Sequence, residues 1–112
     1  MAETTDRRLY RRVKAAMLVR PAGAIGHALP RRVRDASLGG LRVYADDAPR
    51  CGARLELELF LDEKESVTCI TEVVWVEALP EGAPAAFDVG LRYVHVLPED
   101  FERIGRVLAA QP

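Results

Sequence analysis

The sequence predicts an all-β domain: a closed or nearly closed antiparallel barrel carrying one amphipathic helix at its C-terminal end. Three observations lead there. Two stretches alternate with period two. Leu55, Leu57, Leu59 and Leu61 are interleaved with Arg54, Glu56, Glu58 and Phe60, and Phe87, Val89, Leu91 and Tyr93 with Asp88, Gly90, Arg92 and Val94. Short turn-forming segments separate these and other β-prone runs. After Pro98 the period changes, and Phe101, Ile104, Val107 and Leu108 form an apolar stripe at helical spacing. The 112 residues make one domain with one modest core.

The elements follow in order. Residues 1–12 lack apolar periodicity and read as a flexible arginine-rich arm, with the barrel and its helix over residues 13–112. Val13 to Arg20 is apolar-rich, stops at Pro21 and fits a buried first strand. Ala22 to His27 leaves strand and loop both open, and a second strand is expected near Arg31 to Arg34. Asp35-Ala36-Ser37-Leu38-Gly39-Gly40 has turn chemistry: short polar side chains that bond nearby backbone, and two glycines. Leu41 to Ala45 is a short strand, Asp46 to Gly52 a loop, and Arg54 to Leu61 a strand with its leucines inward. Asp62 to Ser66 is a charged turn. Val67 to Ala78 is a long strand by its Val, Ile, Thr and Trp content. Leu79 to Pro84 is a hairpin loop, and the strand from Phe87 extends toward Leu97 with Leu91 and Tyr93 inward. Pro98, Glu99 and Asp100 suit a helix first turn. The stripe of that helix should cover apolar barrel surface.

Charge is unevenly placed. Up to Arg34 there are nine basic residues against Glu3 and Asp6; beyond it, seven basic residues face fifteen acidic ones. A basic segment on an acidic domain suits a local anionic partner. Of the sixteen basic residues only Lys14 and Lys64 are lysines. Solubility does not call for arginine, whereas forked recognition of oxyanions and stacking on planar groups do. No apolar run approaches the ~20 residues needed to span a bilayer. The polar Met1 to Asp6 does not look like an export signal. A cytoplasmic protein with reduced Cys51 and Cys69 is therefore expected.

Two short patterns carry the candidate chemistry. Arg8 and Arg12 have R-x-x-x-R spacing, with Arg7 immediately before. Such guanidinium groups clamp phosphates in forked pairs, stack on purines, or donate twice to the O6/N7 edge of guanine. Asp35-x-Ser37-x-x-Gly40 is the second. A carboxylate can accept from guanine N1–H and N2–H, a hydroxyl can bond a phosphate or base, and Gly39 and Gly40 allow close backbone approach. The same residues would equally serve a plain turn. Trp75 could stack on a base, but core or helix-packing surface is the ordinary place for a large aromatic. Enzyme and metal readings find little. His27, His95, Cys51 and Cys69 are scattered without ligand spacing, Ser37 lacks His and Asp partners, and Glu56 and Glu58 suit a wet strand face.

In this order, and on this strand pattern, Arg8…Arg12 and Asp35…Ser37…Gly40 resemble the PilZ family signature. Val73-Val74-Trp75-Val76, Val89-Gly90-Leu91-Arg92-Tyr93 and Leu97-Pro98-Glu99-Asp100 are similar to the family's later segments, so the likeness runs from Asp6 to Ala109. The resemblance implies a six-stranded antiparallel barrel with a C-terminal helix. It implies no cofactor and no catalysis, and as ligand cyclic di-GMP. Arg7, Arg8 and Arg12 would contact it from the arm, and Asp35, Ser37, Gly39 and Gly40 from the turn. An arginine at position 7 is associated, in proteins resembling this one, with two ligands per chain. Binding would order the arm and signal to a partner protein. The alternative is a PilZ-like protein-interaction module independent of nucleotide. Single-strand nucleic acid is disfavoured, because only Tyr10 offers a stacking aromatic near the arm.

Overall fold

A computed structural model describes residues 13–14, 16–22 and 31–110. Six strands, β1 (Leu18–Pro21), β2 (Arg31–Ala36), β3 (Gly40–Ala45), β4 (Arg54–Phe60), β5 (Ser66–Ala78) and β6 (Phe87–His95), precede one helix (Pro98–Ala109). The strands form a closed barrel in the order β1-β2-β3-β6-β5-β4, all neighbours antiparallel, with β4 returning to β1. Closure removes the edges that an open sheet of this composition would present. The expected six-stranded barrel with a C-terminal helix is the observed fold. Among the described residues, no helix is long and apolar enough to cross a membrane.

The leucine alternation on β4 points as expected. Leu57, Leu59 and Leu61 are buried, and Leu55 packs partly against the same core. Cross-strand partners supply the rest of the interior: Leu59 lies between Val19 of β1 and Val67 of β5, and Leu57 pairs with Cys69. Val33, Leu41, Val43, Val73, Val89 and Leu91 continue it around the wall. Buried Cys69 is a free thiol, pushed up to about 11 by burial and secondarily by Asp100; Cys51 is free and exposed.

β1 is shorter than the expected Val13–Arg20 strand. Pairing begins at Leu18, and Val13 instead makes an isolated bridge with Ala36. β2 runs two residues further than expected, so Asp35 and Ala36 belong to the strand and the turn contracts to Ser37–Gly39. The extra pairs with β3, Asp35 with Arg42 and Ala36 with Leu41, outcompete the turn propensity of the aspartate. β6 ends at His95, short of Leu97.

Bulges break the alternation on two strands. On β2, Val33 and Ala36 both point inward although they are three apart, because the register shifts between Val33 and Asp35. Arg34 and Asp35 are left outside together, two residues opposite one. On β5 the register shifts between Val73 and Trp75, and exposed Val74 and Trp75 lie consecutively on the outside. Trp75 is thus not part of the core, one of the two places expected for it from its size.

The helix starts at Pro98 with Glu99 and Asp100 in its first turn and Arg106 in its last. Both charge placements complement the helix dipole. Ile104 and Leu108 are buried and Val107 half-buried, but Phe101 remains 37% exposed beside Leu97 at 47%, so the stripe covers the barrel only through its C-terminal part. Arg103 ties the helix to the β4–β5 turn through Glu65 at 2.7 Å and to Asp100 at 3.2 Å.

Glu58 departs from a simple wet face. It accepts from Ser66 Oγ at 2.9 Å and Arg20 Nε at 3.0 Å. The serine bond first, and then the arginine, hold its carboxyl below the ordinary glutamate range. A lowered folded value stabilises the barrel above the unfolded pKa of about 4.3 and loses that contribution as pH falls through the folded value. The urea-midpoint gap between wild type and Glu58→Gln should therefore shrink as pH drops below about 4.3. A gap that stays constant through the acid range would mean these bonds do not form in solution.

Candidate functional site

The turn after β2 is built on Ser37. Its buried Oγ accepts from the N–H groups of Gly39 at 3.0 Å and Gly40 at 3.3 Å, while its own N–H donates to the Gly40 carbonyl at 2.9 Å. Serine rather than aspartate closes the turn, leaving the Asp35 side chain to the outer face of the strand. Gly40 is required by a neighbour. A Cβ there would stand 1.9 Å from the Leu91 carbonyl oxygen of β6. The Gly39 carbonyl accepts from Tyr93 N–H at 3.0 Å, fastening the turn to β6 from the other side.

From this turn one row of residues crosses four adjacent strands on the outside of the barrel. Asp35 of β2 pairs with Arg42 of β3, Arg42 with Gly90 of β6, and Gly90 with Trp75 of β5. Three strand spacings make the row about 14 Å long. The two bulges bracket it and set Asp35 and Trp75 at its ends. The indole lies on Gly90: a Cβ at that glycine would come within 2.2 Å of Trp75 Nε1. Trp75 is 37% exposed, so it still presents aromatic surface to solvent.

The middle of the row is held electrostatically. Asp88, only 3% exposed, lies beside Gly90 on β6. It accepts from Arg42 Nη2 at 2.7 Å, from Arg42 Nε at 3.0 and 3.2 Å, and from Arg34 Nη1 at 3.0 Å. Arg34 also stacks on Tyr44, 4.2 Å from the ring centroid. Arg42 reaches Asp35 Oδ2 with Nη1 at 3.5 Å. The hydrogen bond to Asp88 chiefly raises the Arg42 pKa, with the charges of Asp88 and Asp35 assisting and burial opposing. A nearly buried carboxylate is tolerable because two guanidinium groups satisfy it. The result is a surface with a carboxylate, fixed guanidinium groups and an exposed indole within one row. That combination suits a planar, hydrogen-bonding, anionic ligand.

The PilZ domain family model matches residues 6–110. The chain belongs to the PilZ family. Solved structures agree on the fold. YcgR of Escherichia coli in complex with c-di-GMP is 19% identical, with a TM-score of 0.70 over 93% of this chain and 45% of that one. The K. pneumonia MrkH–c-di-GMP complex is 19% identical, TM-score 0.73, over 92% and 51%. The Bacillus subtilis inhibitor of motility MotI/DgrA is 22% identical, TM-score 0.70, over 94% and 53%. This chain thus spans about half the length of those proteins. No curated protein sequence matches it.

Of the residues singled out by the PilZ signature, Asp35, Ser37, Gly39 and Gly40 lie together at one end of the row. Arg7, Arg8, Arg12 and the arm as a whole lie outside the described residues, as does most of Ala22–His27. Ala22 itself is in a turn, its N–H donating to Glu56 O at 2.9 Å. The nearest described residue to the arm is informative. Val13 exchanges backbone hydrogen bonds with Ala36, at 2.8 and 2.9 Å, and Ala36 sits between Asp35 and Ser37. Arg34, Arg42, Asp88 and Trp75 were not expected at the site. The sequence placed Arg42 only within a short strand, without a role, and it set Trp75 aside as a stacking residue of low priority. Asp88 looked like an ordinary solvent-facing residue, since its partners Arg34 and Arg42 lie 54 and 46 positions away. Among the described residues, no three His, Cys, Asp or Glu side chains converge as a metal site.

Proposed function

We propose that this chain is a receptor for cyclic di-GMP, acting as a signalling adaptor in the cytoplasm rather than as an enzyme. The observation that carries the reading is the row Asp35–Arg42–Gly90–Trp75. It sets a carboxylate able to accept from guanine N1–H and N2–H at one end and an exposed indole able to stack on a purine at the other. Membership of the PilZ family supports this, as do the c-di-GMP complexes of YcgR and MrkH.

The arm completes the site in this reading. Arg12 directly precedes Val13, and consecutive Cα atoms lie about 3.8 Å apart. The Val13–Ala36 bridge therefore supports delivery of Arg12 to the Asp35–Ser37 edge. Arg8 and Arg12 clamp phosphates and guanine in forked contacts, and Ser37, Gly39 and Gly40 bring the turn close beneath the ligand. Arg7 adds a third guanidinium. Two stacked ligands bring about four phosphate charges together, and that repulsion needs extra cationic charge nearby. Two ligands per chain are accordingly proposed. Neutralising the arm orders it against the barrel and changes the surface offered to a partner protein.

Calorimetric titration with cyclic di-GMP, with GTP and cyclic GMP as controls, tests the reading. Wild type should saturate near two ligands per chain and Arg7→Ala near one. Arg12→Ala should weaken binding at least tenfold, about 1.4 kcal/mol, without rescue by Arg12→Lys, because lysine cannot form the fork. Amide exchange around Arg8 should slow on binding. Saturation of wild type at one ligand would end the argument from Arg7. A wild type that binds none would leave the nucleotide-independent interaction module as the better reading.

A further inference from the structure

A second row runs beside the first on the outer face. Gly40 of β3 pairs with Arg92 of β6, Arg92 with Glu72 of β5, and Glu72 with Arg54 of β4. On β3 and β6 it lies two residues from Arg42 and Gly90, about 7 Å toward the Ser37–Gly39 turn. Arg92 is fastened to that turn by its neighbour, since Tyr93 N–H donates to the Gly39 carbonyl at 3.0 Å. Gly40, opposite Arg92, has no side chain to stand between them.

Charge separates the two rows. The guanidinium groups of Arg34 and Arg42 are matched by the carboxylates of Asp35 and Asp88. In the second row Arg54 and Arg92 are cross-strand neighbours of one carboxylate, Glu72, so positive charge is in surplus. The Arg92 side chain is 59% exposed. Its Nε donates to Glu72 Oε1 at 2.6 Å, and its Nη2 reaches the same oxygen. A guanidinium carries five N–H donors, so Nη1 and the second hydrogen of Nη2 remain for another acceptor. Those end-on donors make a fork suited to an oxyanion. Glu72 therefore aligns the fork without using it up.

We propose that Arg92 is a phosphate-binding residue of the nucleotide site, supplied by the barrel wall in addition to the arm and the turn. The inference rests on the cyclic di-GMP reading above. A ligand lying over Asp35, Arg42 and Gly90 extends toward Gly40, and its phosphodiester there meets Arg92 end-on while Glu72 keeps the other edge. The first row cannot supply this charge, because its arginines are already balanced by aspartates. Holding Arg92 on Glu72 beforehand also reduces the side-chain freedom lost on binding.

Cyclic di-GMP titrations of wild type, Arg92→Gln and Arg54→Gln at low and high salt test this. Arg92→Gln should raise the half-saturating ligand concentration about tenfold, the loss of one charge-assisted contact. Arg54→Gln, in the same row but two strands further from β3, should change it less than about twofold. The melting temperature of Arg92→Gln without ligand should hardly move, since an exposed ion pair adds little to stability. The binding gap between Arg92→Gln and wild type should narrow as salt rises from about 0.1 M to about 1 M, where screening shortens from ~10 Å to ~3 Å. Wild-type affinity in Arg92→Gln would reduce Arg92–Glu72 to a surface ion pair and overturn the inference. An equal loss from Arg54→Gln, or a loss unchanged by salt, would overturn it as well. Each of these results leaves wild-type binding intact and the receptor reading standing; a wild type that binds no cyclic di-GMP would remove both.

Discussion

Gly40→Ala should cripple the barrel, although it adds a single methyl group to a residue that looks like part of a tolerant turn. The Cβ would lie 1.9 Å from the Leu91 carbonyl oxygen and 2.9 Å from Arg92 Cα. Both obstacles are backbone of β6, which pairs with β3 over the whole run from Gly40 to Ala45 and with β5 on its other side. No rotamer change can relieve the clash; two strands of a closed barrel must separate. Overpacking usually costs ~1–3 kcal/mol, and a rigid backbone obstacle puts this case at or beyond the upper end. Urea melts of wild type and Gly40→Ala measure it directly. A loss under about 1 kcal/mol would mean that β3 and β6 can spread at this end. The substitution is therefore a poor probe of ligand contact, since lost binding would follow from lost structure.

Leu59→Ala should cost ~2–5 kcal/mol, the range for truncating a buried leucine where the surroundings cannot collapse. Leu59 is 0% exposed and stands at the seam where β4 closes on β1, with Val19 and Val67 as its cross-strand partners. The strands on both sides are held in register by their own ladders, so the vacated volume stays open. Glu56→Ala is the matched comparison, three residues away on the exposed face, and should fall within ~0.5 kcal/mol. Glu58 would not serve, because Arg20 and Ser66 both bond it. Similar losses from Leu59→Ala and Glu56→Ala in denaturant would contradict the inward alternation of β4.

Much of the fold was legible in the chain because it rests on local rules. The leucines of β4 alternate, and strict alternation exposes one strand face to water and buries the other. Pro98 with two following acids marks a helix start whatever surrounds it. The candidate site was legible where its residues are close in sequence: Asp35, Ser37, Gly39 and Gly40 lie in and beside the one connection between β2 and β3. Their division of labour was not. Ser37 closes the turn, Asp35 belongs to a strand, and Gly40 makes room for another strand's carbonyl. The exposure of Phe101 was hidden for a similar reason. Helical spacing identifies a stripe but not how far the barrel extends beneath it.

By itself, the sequence determined which segments are strands, where the helix begins, which face of β4 is apolar, and that arginines and an Asp–Ser–Gly turn are available for an anionic ligand. Those properties depend on neighbours within a few residues. Only the tertiary structure decided that Arg34 and Asp35 face outward together, that Trp75 lies on Gly90, and that Asp88 is withdrawn from water between two arginines. Each of these depends on strand register. A bulge shifts the alternation by one residue, and the partners it brings together lie up to 54 positions apart in the chain. A local pattern shows that a strand has two faces; pairing across the closed barrel determines which residues from distant strands share one.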